Sequence, residues 1–152
     1  MAVEPSVRRI LATDRESLLE MDAVARSSLV DRRGGEAWLA EHRALDVDWP
    51  SDDGAPLGWV GLIDRAVVGF LTLLIEVRDG RGRVATIDRV YVEEAARELG
   101  FGDALLDAAE TEARSQNCVA LEGTALPGDR DTKNLFERGG VVARSITVSK
   151  TL

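Results

Sequence analysis

Six residues, Arg97-Glu-Leu-Gly100-Phe-Gly102, stand directly before a run in which Leu105, Leu106, Ala108, Ala109 and Ala113 recur at helical spacing. A helix start leaves backbone N–H groups without intrahelical partners, and the aligned peptide dipoles add partial positive charge there. Anions bind at such ends, and glycines let the backbone approach a phosphate closely and take positive φ. Gly100 and Gly102 therefore mark a candidate phosphate-binding turn. A nucleoside-triphosphate loop would need Gly-Lys-Ser/Thr, which the chain lacks. A dinucleotide fold would set its glycines immediately after a strand, with a third glycine near position 105. Here seven residues separate Val92 from Gly100, and position 105 is Leu. The dinucleotide reading fails on both counts.

The carboxylates offer acid–base chemistry. Asp88 alternates with Val90 and Val92, which sets all three on one face of a strand and gives Asp88 a partly buried position. Burial raises a carboxylate pKa toward values useful to a general base. Asp88 is the leading base candidate, and an ion pair with a neighbouring arginine is the alternative. Glu76, near the end of the preceding strand, is the second candidate, against a plain solvent-facing edge carboxylate. His42 shares a helical stripe with Trp38 and Leu45, where packing is the simpler reading. Cys118 opens a strand without a nearby base and reads as a small buried hydrophobe.

These residues need elements to hold them. Ser6 to Leu11 reads as a first strand. Thr13 with Glu16 forms a capping-box signature before a helix over Arg15 to Val30. A second helix runs from Gly35 to Leu45, and Asp46 to Pro56 is a polar connection. Leu57 to Ile63, Ala66 to Val77 and Arg83 to Val92 are strands joined by turns at Asp64-Arg65 and Asp79-Gly80, an antiparallel meander. Glu93 to Leu99 leads to the glycine turn and a helix lasting to about Gln116. Cys118 to Gly123 is a strand reached by a right-handed parallel crossover. A short helix over Arg130 to Arg138 and a last strand over Val141 to Ser149 complete the chain. The fold class is α/β: a mixed, mainly antiparallel sheet of about six strands flanked by four helices.

Composition limits what such a fold can serve. The 152 residues suit one domain, read as spanning 1–152. A net charge of −8 argues against nucleic acid and against an anionic membrane surface, and is compatible with a cationic amine. A single cysteine excludes an intrachain disulfide and suits a reducing cytoplasm. No basic segment followed by an apolar core opens the chain, and Ala66 to Ile75 is too short to cross a bilayer. The expected location is cytoplasmic. No metal-ligand cluster stands out, and a homodimer is left open.

Val90-Tyr-Val92, then Arg97 to Gly102 as R-x-x-G-x-G, then Ala104-Leu-Leu106 resemble the GNAT superfamily of N-acetyltransferases. The likeness extends over nearly the whole chain, including two helices between the first two strands. It implies acetyl-coenzyme A as co-substrate, with pyrophosphate held by Arg97, Glu98, Leu99, Gly100, Phe101, Gly102 and Asp103. It implies further that the pantetheine arm pairs with Val90, Tyr91 and Val92 like a substitute strand, between splayed neighbours, and that Asn134 touches the coenzyme. Asp88 falls where many relatives carry an acid, and His42 falls on a helix that lines the acceptor pocket in such proteins.

Two departures stand out. Relatives often carry a Tyr near the end of the last helix as general acid toward the leaving thiolate, and here the matching residue is Phe136. Asp129 falls where an Asn is usual. Asp103 sets a carboxylate beside the expected pyrophosphate, where it complements the helix dipole. The implied reaction is direct transfer of an acetyl group to a primary amine, on a small molecule or a peptide. A non-catalytic acyl-coenzyme A module is the alternative, favoured by Phe136.

Overall fold

The computed structural model describes residues 4–49 and 54–152. Part of the expected Asp46–Pro56 connection, residues 50–53, therefore lies outside the described residues. Five strands form one sheet in chain order: β1 (Ser6–Arg9), β2 (Gly58–Ile63), β3 (Ala66–Arg78), β4 (Gly82–Val92) and β5 (Ala120–Gly123). The first four pair antiparallel, and β5 joins β4 in parallel. The expected meander and parallel crossover are both present.

The helices are α1 (Arg15–Ser27), α2 (Gly35–Glu41), the single turn α3 (Leu45–Asp48), α4 (Phe101–Ser115) and α5 (Arg130–Arg138). Two corrections to the sequence reading arise here. The second helix ends at Glu41 and a separate turn, α3, begins at Leu45, because Ala44 sits in extended backbone between them. The last strand, expected over Val141–Ser149, does not form, so the sheet has five strands rather than about six.

Apolar residues from both sheet faces build the core. On one face Leu71, Leu73, Ala85 and Ile87 pack against Leu105, Leu106 and Ala109 of α4 and Leu135 and Phe136 of α5. On the other, Val60 and Phe70 pack against Leu18 and Met21 of α1 and Leu45 of α3. No helix among the described residues is long and apolar enough to cross a membrane.

Two close approaches hold α4, one to the sheet and one to α5. Phe101, 1% exposed, lies against Gly61 of β2, where a Cβ would come within 2.7 Å of the ring. Gly139 lets α5 approach α4, since a Cβ there would meet Leu106. The first contact seats the start of α4, and with it the glycine turn.

Candidate active site

Strand β4 is paired on both sides only over its first half. Val84 to Ile87 pair with Ala120 to Gly123, and beyond that point β5 leaves the sheet while β4 continues to Val92. Residues Asp88 to Val92 thus present an open edge to a cleft of about 870 Å³. Its walls include Gly100, Phe101 and Gly102 of the glycine turn, and Trp38 of α2 with His42 that follows it. That volume lies in the usual range for small-molecule sites, about 300–1,000 Å³.

The glycine turn delivers the donors its sequence suggested. Gly100 caps α4 at φ +87°, and no side chain caps the helix. The first intrahelical bond there runs from the Ala104 N–H to the Gly100 carbonyl at 3.1 Å. The N–H groups of Phe101, Gly102 and Asp103 precede it and have no partner within the helix. Glu98, although not glycine, takes φ +69°. Such backbone costs on the order of 1–3 kcal/mol and collects at functional sites. Left-handed residues at 98 and 100 bring the chain round into the start of α4 at the cleft wall.

Cations contribute less. Each of the five arginines on the cleft wall is already engaged. Arg26 donates to the His42 carbonyl at 2.7 Å, and Arg32 donates to the Gly128 carbonyl. Arg89 is held by carboxylates. Arg97 donates to the Val92 carbonyl at 3.0 Å and to Asp131 at 3.2 Å, with its guanidinium 5.7 Å from the centre of the Tyr91 ring. Arg138 pairs with Asp103 at 3.1 Å, so the Asp103 carboxylate is matched by a cation as well as by the helix dipole. An anion in this turn meets backbone amides first.

Asp88 sits where the sheet slips. The β3–β4 register passes from Leu73 opposite Ile87 to Thr72 opposite Arg89, which leaves Asp88 as the extra residue of a bulge. The bulge exchanges the two faces of β4. Ala85 and Ile87 before it, and Val90 and Val92 after it, pack toward α4, whereas Arg89 and Tyr91 turn toward α1. The parity that placed Asp88 with Val90 and Val92 is therefore interrupted at Asp88 itself. Its side chain is 23% exposed, lines the cleft, and accepts from Arg89 Nε at 3.2 Å. The neighbouring arginine that formed the alternative reading is present.

Beneath the bulge lies an ionic cluster. Arg89, 6% exposed at its side chain, donates to Asp22 at 3.0 Å, Asp48 at 2.8 Å and the Arg43 carbonyl at 2.7 Å. Asp22 also accepts from the Leu45 N–H at 2.9 Å. Burial opposes the Arg89 charge, but the carboxylates of Asp22 and Asp88 outweigh it and raise the pKa above its ordinary value. This cluster ties α1 and the segment before α3 to β4. The sequence carried one sign of it: Asp22 follows Leu18 by four residues on the buried stripe of α1.

The remaining candidates divide. Val90, Tyr91, Val92, Arg97, Glu98, Gly100, Phe101, Gly102, Asp103 and Asn134 all reach the cleft wall. Phe101 can do so only through its backbone, because its ring is core. Leu99, 40% exposed, and the exposed Glu76 are not part of the wall. His42 stacks on Trp38 with centroids 4.2 Å apart and planes 6° from parallel, and its Nδ1 lies 2.9 Å from the Trp38 carbonyl. Packing and cleft lining hold together at this residue. Phe136 is 6% exposed, and its ring lies against Gly123 at the point where β5 departs. Asp129 caps α5, accepting from the Thr132 N–H and hydroxyl.

A mixed sheet that splays beside its fourth strand, with an uncapped helix start at the splay, belongs to acyl-coenzyme A-dependent transferases of the N-acetyltransferase type. The sequence profile of the acetyltransferase (GNAT) family matches residues 18–140, and the chain belongs to that family. It is an acetyl-coenzyme A-dependent N-acetyltransferase that acts on amine acceptors, with acetyl-coenzyme A as co-substrate. No curated protein matches the chain. Solved structures of similar fold include a candidate acetyl transferase from Pyrococcus furiosus, at 23% identity and TM-score 0.76, covering 98% of this chain and 100% of that one. A ribosomal-protein-alanine N-acetyltransferase from Brucella melitensis biovar Abortus 2308 is similar at 19% identity and TM-score 0.68, covering 98% of each chain. A third is AAC(6')-Iy with the bisubstrate analogue CoA-S-monomethyl-acetylneamine, at 16% identity and TM-score 0.65, covering 99% of this chain and 100% of that one.

Proposed function

We propose that residues 1–152 act as one domain that brings acetyl-coenzyme A and a primary amine together along the open edge of β4. The observation that carries this reading is the run Asp88–Val92, paired with β3 but open on its β5 side, which lines the same cleft as the uncapped start of α4. The pyrophosphate would rest on the N–H groups of Phe101, Gly102 and Asp103, with Glu98 and Gly100 shaping the turn. Val90 to Val92 would pair with the pantetheine arm, and Asn134 would contact it from α5.

The acceptor would enter past Trp38 and His42. Asp88, directly or through water, would take the ammonium proton, freeing the nitrogen lone pair to attack the thioester carbonyl. An N–H of the open β4 edge would stabilise the oxyanion, whose collapse forms the amide and breaks the carbon–sulfur bond. The departing thiolate then takes a proton. Phe136 has no proton to give, and a thiol pKa of about 8.5 makes the thiolate a tolerable leaving group without one. A ribosomal-protein-alanine N-acetyltransferase and a protein bound to CoA-S-monomethyl-acetylneamine share this fold, which supports a small amine or a peptide as acceptor in this reading. The compartment in this reading is the cytoplasm, consistent with a lone Cys118.

The test is a screen of amines and peptides for free thiol release from acetyl-coenzyme A. Turnover with an amine is expected, and Asp88→Asn should lower kcat by at least about tenfold. Wild-type kcat in a folded Asp88→Asn protein would remove Asp88 from the mechanism. Coenzyme binding without turnover on any amine would favour the non-catalytic module.

A further inference from the structure

An arginine guanidinium carries its N–H donors in one plane, a single one on Nε and a pair on each Nη. Nε and Nη2 share an edge, and such an edge can grip both oxygens of a carboxylate at once. Beside the candidate base that grip does not form. Arg89 Nε donates to Asp88 Oδ2 at 3.2 Å, and Asp88 Oδ1 accepts no hydrogen bond among the described residues. Nη2 has its pair of hydrogens engaged elsewhere, by the Arg43 carbonyl at 2.7 Å and by Asp48 Oδ2 at 2.8 Å. Nη1 donates to Asp22 Oδ1 at 3.0 Å.

The carboxylates around Arg89 are not equivalent. Asp22 is nearly out of solvent and also accepts from the Leu45 N–H, so it holds the interior together. Asp48 ends α3, is 40% exposed at its side chain, and has no partner but Arg89 among the described residues. A half-exposed ion pair contributes little to stability. Its position gives it a different influence, because it decides how much of Arg89 is left for Asp88.

We propose that Asp48 is a positioning residue for the acetyl transfer: with the Arg43 carbonyl it occupies Arg89 Nη2, restricts the arginine to a single bond with Asp88, and so leaves Asp88 Oδ1 free for the proton of the amine. This rests on the reading of Asp88 as the base. No neighbouring charge substitutes for Asp48. Arg26 of α1 donates to the His42 carbonyl, Arg43 is exposed, and Asp46 pairs with Arg15. Thr72 and Leu73, which flank the register shift on β3, are uncharged. Hydrogen bonds to the charged form of a carboxylate favour that form, so an Asp88 gripped at both oxygens takes a proton less readily. Removing the Asp48 charge acts in the same direction, since it leaves the Arg89 cation less compensated. The amine would then keep its proton and stay unreactive.

Asp48→Ala in the full chain tests the proposal, first without any acceptor. A crystal structure of the variant should show Arg89 bonded to both oxygens of Asp88, where the wild type shows one. With the best amine of the thiol-release screen, kcat should fall by about tenfold, and its acid limb should move to lower pH. His42 is the same in both proteins, so it does not account for a shift between them. Asp48→Glu, which returns the carboxylate, should restore rate and limb together. An Arg89 that keeps its single bond to Asp88 in the alanine variant would overturn the proposal. So would an unchanged kcat and limb, or a loss that glutamate does not restore. A slow Asp88→Asn protein beside a full-speed Asp48→Ala protein would sink this inference alone, whereas wild-type kcat in Asp88→Asn would sink the base reading as well.

Discussion

Arg89 and the start of α4 both gather hydrogen-bond donors around β4, and the two have opposite fates. The Arg89 guanidinium spends its donors on Asp22, Asp48, Asp88 and the Arg43 carbonyl, nearly out of solvent. Phe101, Gly102 and Asp103 open α4 on the cleft wall, and their amides have no helical partner and no side-chain cap. A buried donor without a partner costs about 1–3 kcal/mol, so the first region can be buried only because it is satisfied. The second keeps its donors free because they open on a cleft that a ligand or water can fill. One region holds the bulge in place, and the other leaves its donors free.

That contrast can be broken by removing a partner from the satisfied side. Asp22→Ala leaves the Leu45 N–H and part of Arg89 unpaired in the interior, and a loss of about 3–5 kcal/mol is expected in denaturant unfolding. A loss under about 1 kcal/mol would mean that the cluster is solvated in solution and is no different in kind from the turn.

On the free side the effect should fall on ligand binding. Coenzyme A at a hundred times its Kd should stabilise the protein by about 2.7 kcal/mol, read as a rise in Tm. Gly102→Glu should abolish that rise by placing a carboxylate against the phosphates. A Cβ at 102 meets Leu135 Cδ1 at 3.2 Å, so circular dichroism must confirm that the variant folds. A folded variant with an undiminished rise would move the anion away from this turn.

The smallest effect sharpens the boundary between the two regions, where Phe136 is both core and cleft wall. Phe136→Tyr adds a hydroxyl at the end of the ring that abuts Gly123. A stability loss of about 1 kcal/mol with unchanged kcat is expected for a core role. A rise in kcat of about tenfold would instead mean that a phenol here reaches the leaving sulfur.

Much of the sheet was readable because its signals are local. Asp79-Gly80 closes a hairpin, and the glycine turn precedes a clear amphipathic run, so β3, β4 and α4 fall close to their expected bounds. The glycine turn at the head of α4 was legible for the same reason, since its residues are consecutive in the chain. Asp88 was harder. Its setting depends on a bulge created by the register of β3, which no alternation within β4 reveals. The Arg89 cluster joins residues 67 positions apart, and only Asp22 on an apolar stripe hinted at it. The failed last strand shows the limit of propensity. Val141 to Ser149 has strand composition, but a strand needs a neighbour, and composition does not name one.

The seat of Phe101 on Gly61 couples positions forty residues apart. The ring lies against Gly61 of β2, while the same residue opens α4 at the wall of the cleft. A side chain at 61 would have to push the ring and would tilt the amides with it. Drift at these two positions is therefore correlated: a larger residue at 61 is tolerable only beside a smaller one at 101, and the effects of the two changes would not add. A screen for weakened coenzyme affinity should return position 61, which lies outside the cleft wall, and its phenotype would look like a lost contact although the change acts through the seat of α4.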